Sequence, residues 1–113
     1  MPSSAPSRVL RTIDYNIELA RRFVGDGSYE AFAQDERTLY AATRCLEIIP
    51  EGSRRLPADV KARHEDIPWD LIAGSGNVYR HDYEDVLPSL LWNTVREHLQ
   101  PLERVVLDEI QAI

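Results

Sequence analysis

Val9-Leu-Arg-Thr-Ile-Asp-Tyr-Asn-Ile-Glu-Leu-Ala-Arg-Arg-Phe-Val24 decides the fold. Leu10, Ile13, Ile17, Ala20 and Val24 recur at three- and four-residue steps, the spacing that lines one face of an α-helix with apolar side chains. Gly25-Asp-Gly27 ends the pattern, because glycine accepts the left-handed conformation in which helices commonly close. The spacing predicts a first helix over 9–24, and residues 1–8, rich in proline and serine, read as a disordered N-terminal tail.

The same period continues downstream. Ser28 is a candidate N-cap for a long second helix whose buried side is Phe32, Leu39, Ala42, Leu46 and Ile49, while Gln34, Asp35, Glu36 and Arg37 face water. Pro50 removes a backbone donor and crowds the preceding turn, so it should end or kink that helix. A short continuation over 51–56 follows, with Arg54 and Arg55 as a solvated face, and then a polar connector over 57–66. Ile67-Pro68-Trp69 opens a third helix, with proline in the first turn where its missing N–H costs nothing. Trp69, Ile72 and Ala73 should pack inward, and Gly74 and Gly76 weaken the helix by about 1 kcal/mol each relative to alanine. A fourth helix starts near residue 86 and carries Leu87, Leu90, Leu91, Val95 and Leu99. Pro101 marks a kink or fresh start, and Leu102, Val105, Val106, Leu107 and Ile110 extend the apolar face. No strand-like alternation persists. The expected fold is all-α, a four- to five-helix up-and-down bundle forming one domain over 9–113.

Composition narrows the function classes. The chain has 113 residues, 28% charged and 43% hydrophobic, which suits one folded domain with a modest core. No apolar run is long enough to span a bilayer, and the N-terminus lacks the basic flank and apolar stretch of a secretory signal. A single cysteine, Cys45, cannot form an internal disulfide, which fits a reducing cytoplasm. A net charge of −6 argues against stable grip on a nucleic-acid backbone, since phosphate neutralisation supplies most of that affinity. An RNA substrate would be touched transiently, at a local site or one shared by two subunits.

The chemistry concentrates in Gly74-Ser-Gly-Asn-Val-Tyr-Arg-His-Asp-Tyr-Glu-Asp-Val86, where His81 lies between Arg80 and Asp82, with Tyr79 and Tyr83 close by. Cleavage of RNA by its own 2′-hydroxyl needs a base, an acid and positive charge at the phosphorane. An imidazole can fill either proton role near neutrality, and a guanidinium presents a planar fork to phosphate. Arg80 and His81 supply these groups, but neighbouring helical residues point about 100° apart, so a two-fold dimer bringing Arg80 of one subunit toward His81 of the other is the geometry that would join them. Asn77, four residues before His81, shares its face and could orient the ring or a phosphate. The bland readings are a surface Arg80 paired with Glu84 and two packing tyrosines. His64, His81 and His98 show no metal-ligand spacing, so no metal and no cofactor is assigned.

Ile67-Pro-Trp-Asp-Leu-Ile-Ala-Gly-Ser-Gly-Asn-Val-Tyr-Arg-His-Asp-Tyr83 resembles the HepT-like proteins of the HEPN superfamily. Asp35-Glu36-Arg37, Leu46-Glu-Ile-Ile, Arg55-Leu56, Trp92 and Glu97-His-Leu-Gln-Pro-Leu102 resemble them too, so the likeness covers nearly everything after Arg11. The resemblance implies a small α-helical homodimer that acts as a metal-independent ribonuclease toxin, paired with a minimal nucleotidyltransferase as antitoxin. It also implies a site made of an arginine, a histidine four to six residues later and a tyrosine two residues beyond. Placed on this chain, the histidine is His81 and the tyrosine is Tyr83, which the resemblance also makes the target of adenylylation by the partner. The arginine position falls on Gly76, a departure from the pattern, and the nearest arginine stands at Arg80. Two functions stay open: an RNA-cleaving toxin using His81, Arg80, Asn77 and Tyr83, or a HEPN-like binding subunit that has lost cleavage and partners the nucleotidyltransferase.

Overall fold

A computed structural model describes residues 5–81 and 88–113. The described residues form helices throughout: α1 (Ala5–Val24), α2 (Tyr29–Gln34), α3 (Glu36–Arg54), α4 (Ala58–Ala62), α5 (Trp69–His81), α6 (Pro88–Asn93), a π-helical turn (Thr94–His98) and α7 (Gln100–Ala112). The all-α expectation holds. Leu10, Ile13, Ile17, Ala20 and Val24 are all buried, as their spacing requires. Helix α1 lies against α3 and α7, and α5 packs on the other side of α3, so α3 is the central rod.

Several boundaries differ from expectation, each for a local reason. Helix α1 begins at Ala5 rather than residue 9: Pro6 fits a first helical turn, and the Arg11 Nε donates to the Ser7 hydroxyl at 3.3 Å. Gly25 closes α1 at φ 66°, its N–H reaching the Arg21 carbonyl at 2.8 Å. The long second helix is two helices. Ser28 caps α2 as expected, accepting from Ala31 N at 3.1 Å, but Asp35 then adopts an extended conformation (φ −95°, ψ 92°) that ends α2 and caps α3. The Asp35 carboxylate accepts from both the Thr38 hydroxyl and the Thr38 amide, which holds its pKa below the usual carboxylate value.

Helix α3 runs through Pro50 and ends at Arg54. Proline deprives the Leu46 carbonyl of its helical partner. The neighbouring turn is braced by the Ser53 hydroxyl, which donates to the Ile49 carbonyl at 3.0 Å in a buried setting. Gly52 lets α1 and α3 meet closely. A Cβ there would sit 2.8 Å from Ile13 Cγ1, and Ile13 is fully buried and cannot withdraw. Overpacking costs about 1–3 kcal/mol, against about 1 kcal/mol gained in helix propensity. Gly52→Ala is therefore expected to destabilise the fold by about 1 kcal/mol, read as a lowered urea midpoint at constant slope.

The polar connector over 57–66 contains α4, whose Val60 is buried, followed by a turn that carries Arg63 and His64 to α7. Glu109 of α7 is only 8% exposed; its Oε2 accepts from Arg63 Nε at 3.1 Å and its Oε1 from Arg63 Nη2 at 2.7 Å, with His64 Nε2 2.7 Å from Oε2 as well. These partners, Arg63 first, hold the Glu109 carboxyl down to about 2. Trp92 packs edge-on to Tyr29 and against Phe32, each 5.5 Å between ring centroids, and Arg96 covers its face at 4.1 Å while donating to the Gly25 carbonyl. Leu90 and Leu107, expected to be inside, are 41% exposed, whereas Leu91, Val95, Leu99, Leu102, Val105 and Val106 are buried. Val86 and Leu87 lie outside the described residues.

Candidate functional site

Helix α5 carries the candidate site, and its start is fastened twice. The Trp69 indole Nε1 donates to the carbonyls of Lys61 (3.2 Å) and His64 (3.0 Å), which pins the first turn of α5 to the turn after α4. Ile67, just upstream, is buried, and Ile72 and Trp69 pack on the core. The helix therefore leaves a fixed point with a fixed register.

That register sorts the residues of α5 into rows. Ile72, Ser75 and Tyr79 form the inner row: Tyr79 is 5% exposed, its hydroxyl lies 3.4 Å from the Thr94 hydroxyl, and burial pushes its pKa up, so it stays a neutral phenol of the core. It stands about 200° around the helix from position 81 and is no part of a site there. Trp69, Ala73, Gly76 and Arg80 occupy the next row, with Gly76 buried. Asp70, Gly74, Asn77 and His81 occupy the following one, in which Asp70 and Gly74 are exposed. Asn77 and His81 thus share a row, as expected, and Arg80 falls on the row of Gly76, the position where the resemblance expects arginine. Tyr83 lies outside the described residues, as do the side chains of Asn77, Arg80 and His81.

The inner row faces an apolar cavity of about 520 Å³, lined by Leu46 and Ile49 of α3, Ile72 and Tyr79 of α5, and Leu90 and Leu99 beyond. Most of its walls are apolar and offer little to a phosphate. Leu71, at 75% exposure, and Leu90 open this cavity to the surface. The π-helical turn supplies Glu97 and His98 to the same cavity; its signature is the bond from Leu99 N to the Thr94 carbonyl at 3.1 Å. A wider recess of about 700 Å³, at Gln34, Asp35, Glu36, Arg37 and Tyr40, involves no residue of α5.

Two arginines, one in the polar connector and one expected on a solvated face, have defined partners. Arg63 pairs with Glu109, and Arg54, at the end of α3, donates from Nη2 to the Ala73 carbonyl of α5 at 2.8 Å. Neither link has a local sequence signal, because the partners are 46 and 19 residues apart. Arg54 and Arg55 both stay exposed, as expected, and Arg55 lies within 3.7 Å of Glu51. Among the described residues, no group of three histidine, cysteine, aspartate or glutamate side chains is arranged to hold a metal ion, and no helix is long and apolar enough to cross a membrane.

The family described as "Ribonuclease HepT-like" matches residues 13–108. The chain is 37% identical over 94 residues to "Probable ribonuclease HepT" of Thermococcus cleftensis, covering 83% of this chain and 86% of that protein. It is 33% identical over 84 residues to a "Putative RNase" of Caldanaerobacter subterraneus subsp. tengcongensis, covering 74% of this chain and 75% of that protein. No solved structure matches significantly. With the match spanning α1 to α7 and both ends of the candidate site, this chain belongs to the HepT-like ribonuclease family.

Proposed function

We propose that this chain is a metal-independent RNA endonuclease that works in the cytoplasm as the toxin of a pair whose antitoxin is a minimal nucleotidyltransferase. The observation that carries this reading is membership of the HepT-like family over residues 13–108 together with retention of the His81-x-Tyr83 pair. His81 is the acid/base: it takes the 2′-hydroxyl proton as the 2′-oxygen bonds to phosphorus, and a protonated imidazole returns a proton to the 5′-oxygen as the P–O5′ bond breaks. Arg80 binds the phosphate, Asn77 orients the ring or the phosphate, and Tyr83 belongs to the site and is the residue that the partner adenylylates. A homodimer supports this arrangement, because Arg80 and His81 lie on different rows of one α5 and two-fold symmetry can bring one of each together. Contact with RNA is brief, consistent with the net charge of −6.

The test is incubation of the purified chain with RNA in excess EDTA. Cleavage is expected to persist, to leave 2′,3′-cyclic phosphate ends, and to stop at positions where deoxyribose replaces ribose. Preincubation with the partner nucleotidyltransferase and ATP should add adenylate to Tyr83, seen by mass spectrometry, and suppress cleavage. An intact RNA after incubation with the chain alone sinks the enzyme reading. That result would favour a second reading, a binding subunit of the nucleotidyltransferase without cleavage, for which Gly76 at the family's arginine position is the supporting observation.

A further inference from the structure

We propose that Arg54 of α3 supplies to the candidate site the phosphate-binding guanidinium that Gly76 of α5 cannot. The inference rests on the ribonuclease reading and adds a residue to it. Its basis is the bond from Arg54 Nη2 to the Ala73 carbonyl at 2.8 Å. In an α-helix the carbonyl of residue 73 points along the axis toward the amide of residue 77. The Arg54 Nη2 therefore sits beside the α5 backbone at about the level of residues 74–76, within a turn of Gly76 and about 7–10 Å of rise below position 81. It occupies from outside the place that an arginine side chain growing from position 76 would serve from within.

Three further observations fit. Gly76 is buried, so the helix surface there has no side chain of its own and is covered by its neighbours. Arg54 is exposed although bonded, so its charge faces solvent where an RNA strand could reach it. The guanidinium stays charged at any working pH and carries five N–H donors, of which the Ala73 carbonyl engages one. In a chain of net charge −6, a second local cation beside Arg80 favours the approach of a phosphodiester. The bond to Ala73 orients the fork, as a preorganised phosphate site requires. The opposing view is that Arg54 merely ties α3 to α5; that role would show in melting temperature and nowhere else.

The experiment compares wild type with Arg54→Ala, Arg54→Lys and the neighbouring control Arg55→Ala. Two readouts are taken: cleavage of an RNA oligomer, and binding of the same oligomer with every 2′-hydroxyl methylated, measured across a salt series. Arg54→Ala is expected to lower cleavage by about tenfold or more and to flatten the slope of log affinity against log salt by about 0.7, the share of one phosphate contact on a single strand. Arg54→Lys should recover part of both, and Arg55→Ala should stay within about twofold of wild type. If Arg54→Ala cleaves and binds like wild type while His81→Ala does not cleave, the Arg54 proposal falls and the ribonuclease reading stands. If wild type cleaves nothing, the ribonuclease reading falls, and the salt slope alone decides Arg54: an unchanged slope, or no salt-dependent binding by wild type, overturns it.

Discussion

His81→Ala should reduce RNA cleavage by about 10²–10⁴-fold, the usual contribution of a positioned general acid or base, while leaving the thermal transition where it was. The stability half of that expectation comes from the register of α5. Position 81 continues the row of Asp70 and Gly74, both exposed, at the C-terminal end of the helix, where alanine suits the helical backbone. The activity half comes from chemistry. An imidazole ordinarily titrates near pH 6.5, so its two forms coexist close to neutrality, and no other group in 74–86 shares that property. The pH–rate profile should be bell-shaped in wild type and flat in the residual activity of the variant. Expressed without a partner, wild type should arrest growth and His81→Ala should not. A variant that cleaves within a few-fold of wild type would mean that the reacting proton is moved elsewhere. The exposed His98 beside the apolar cavity would be the first group to test.

The long helices were legible because apolar side chains repeat with the period of the helix itself. Leu10 to Val24 in α1, and Ala42, Leu46 and Ile49 in α3, all take the buried positions their spacing assigns. The break at Asp35 was not, although its signal is present. Phe32 and Leu39 are seven residues apart, a spacing that carries a helical stripe straight through the interruption, and only the Asp35–Thr38 capping pair distinguishes two helices from one. The π-helical turn at Thr94–His98 has no such mark, since one inserted residue leaves Leu91, Val95 and Leu99 all buried. For the site, the motif around His81 reads directly from the chain, because its members are neighbours in sequence. Arg54 does not: its relation to α5 exists only once α3 and α5 are packed. The same holds for Arg63, His64 and Glu109, where a loop reading of residues 57–66 was reasonable locally and concealed a cluster built on a buried carboxylate.

Glu109→Gln should cost about 2 kcal/mol of stability at neutral pH, the size of a hydrogen-bonded charge lost from a mostly buried position. Glutamine keeps the shape but leaves Arg63 only the exposed Asp59, 3.6 Å away, as counter-ion and presents an NH₂ where one of the carboxylate oxygens accepted. The pH dependence follows from the direction of the shift. The folded-state value of about 2 lies below the ordinary 4.5, so the stabilisation is complete above about pH 4.5 and is lost as pH falls toward 2. Urea midpoints of wild type and variant should therefore be well separated at pH 7 and converge in acid; equal midpoints at pH 7, or a gap that ignores pH, would refute the role given to the cluster. The loss should also be felt at the candidate site. His64 both flanks Glu109 and, through its carbonyl, receives the Trp69 indole, so loosening the cluster loosens the first turn of α5. Amide exchange at residues 69–73 should rise in the variant before that of α1, because a helix held at its start by one indole on the carbonyls of a turn opens locally at less cost than one packed along its whole length.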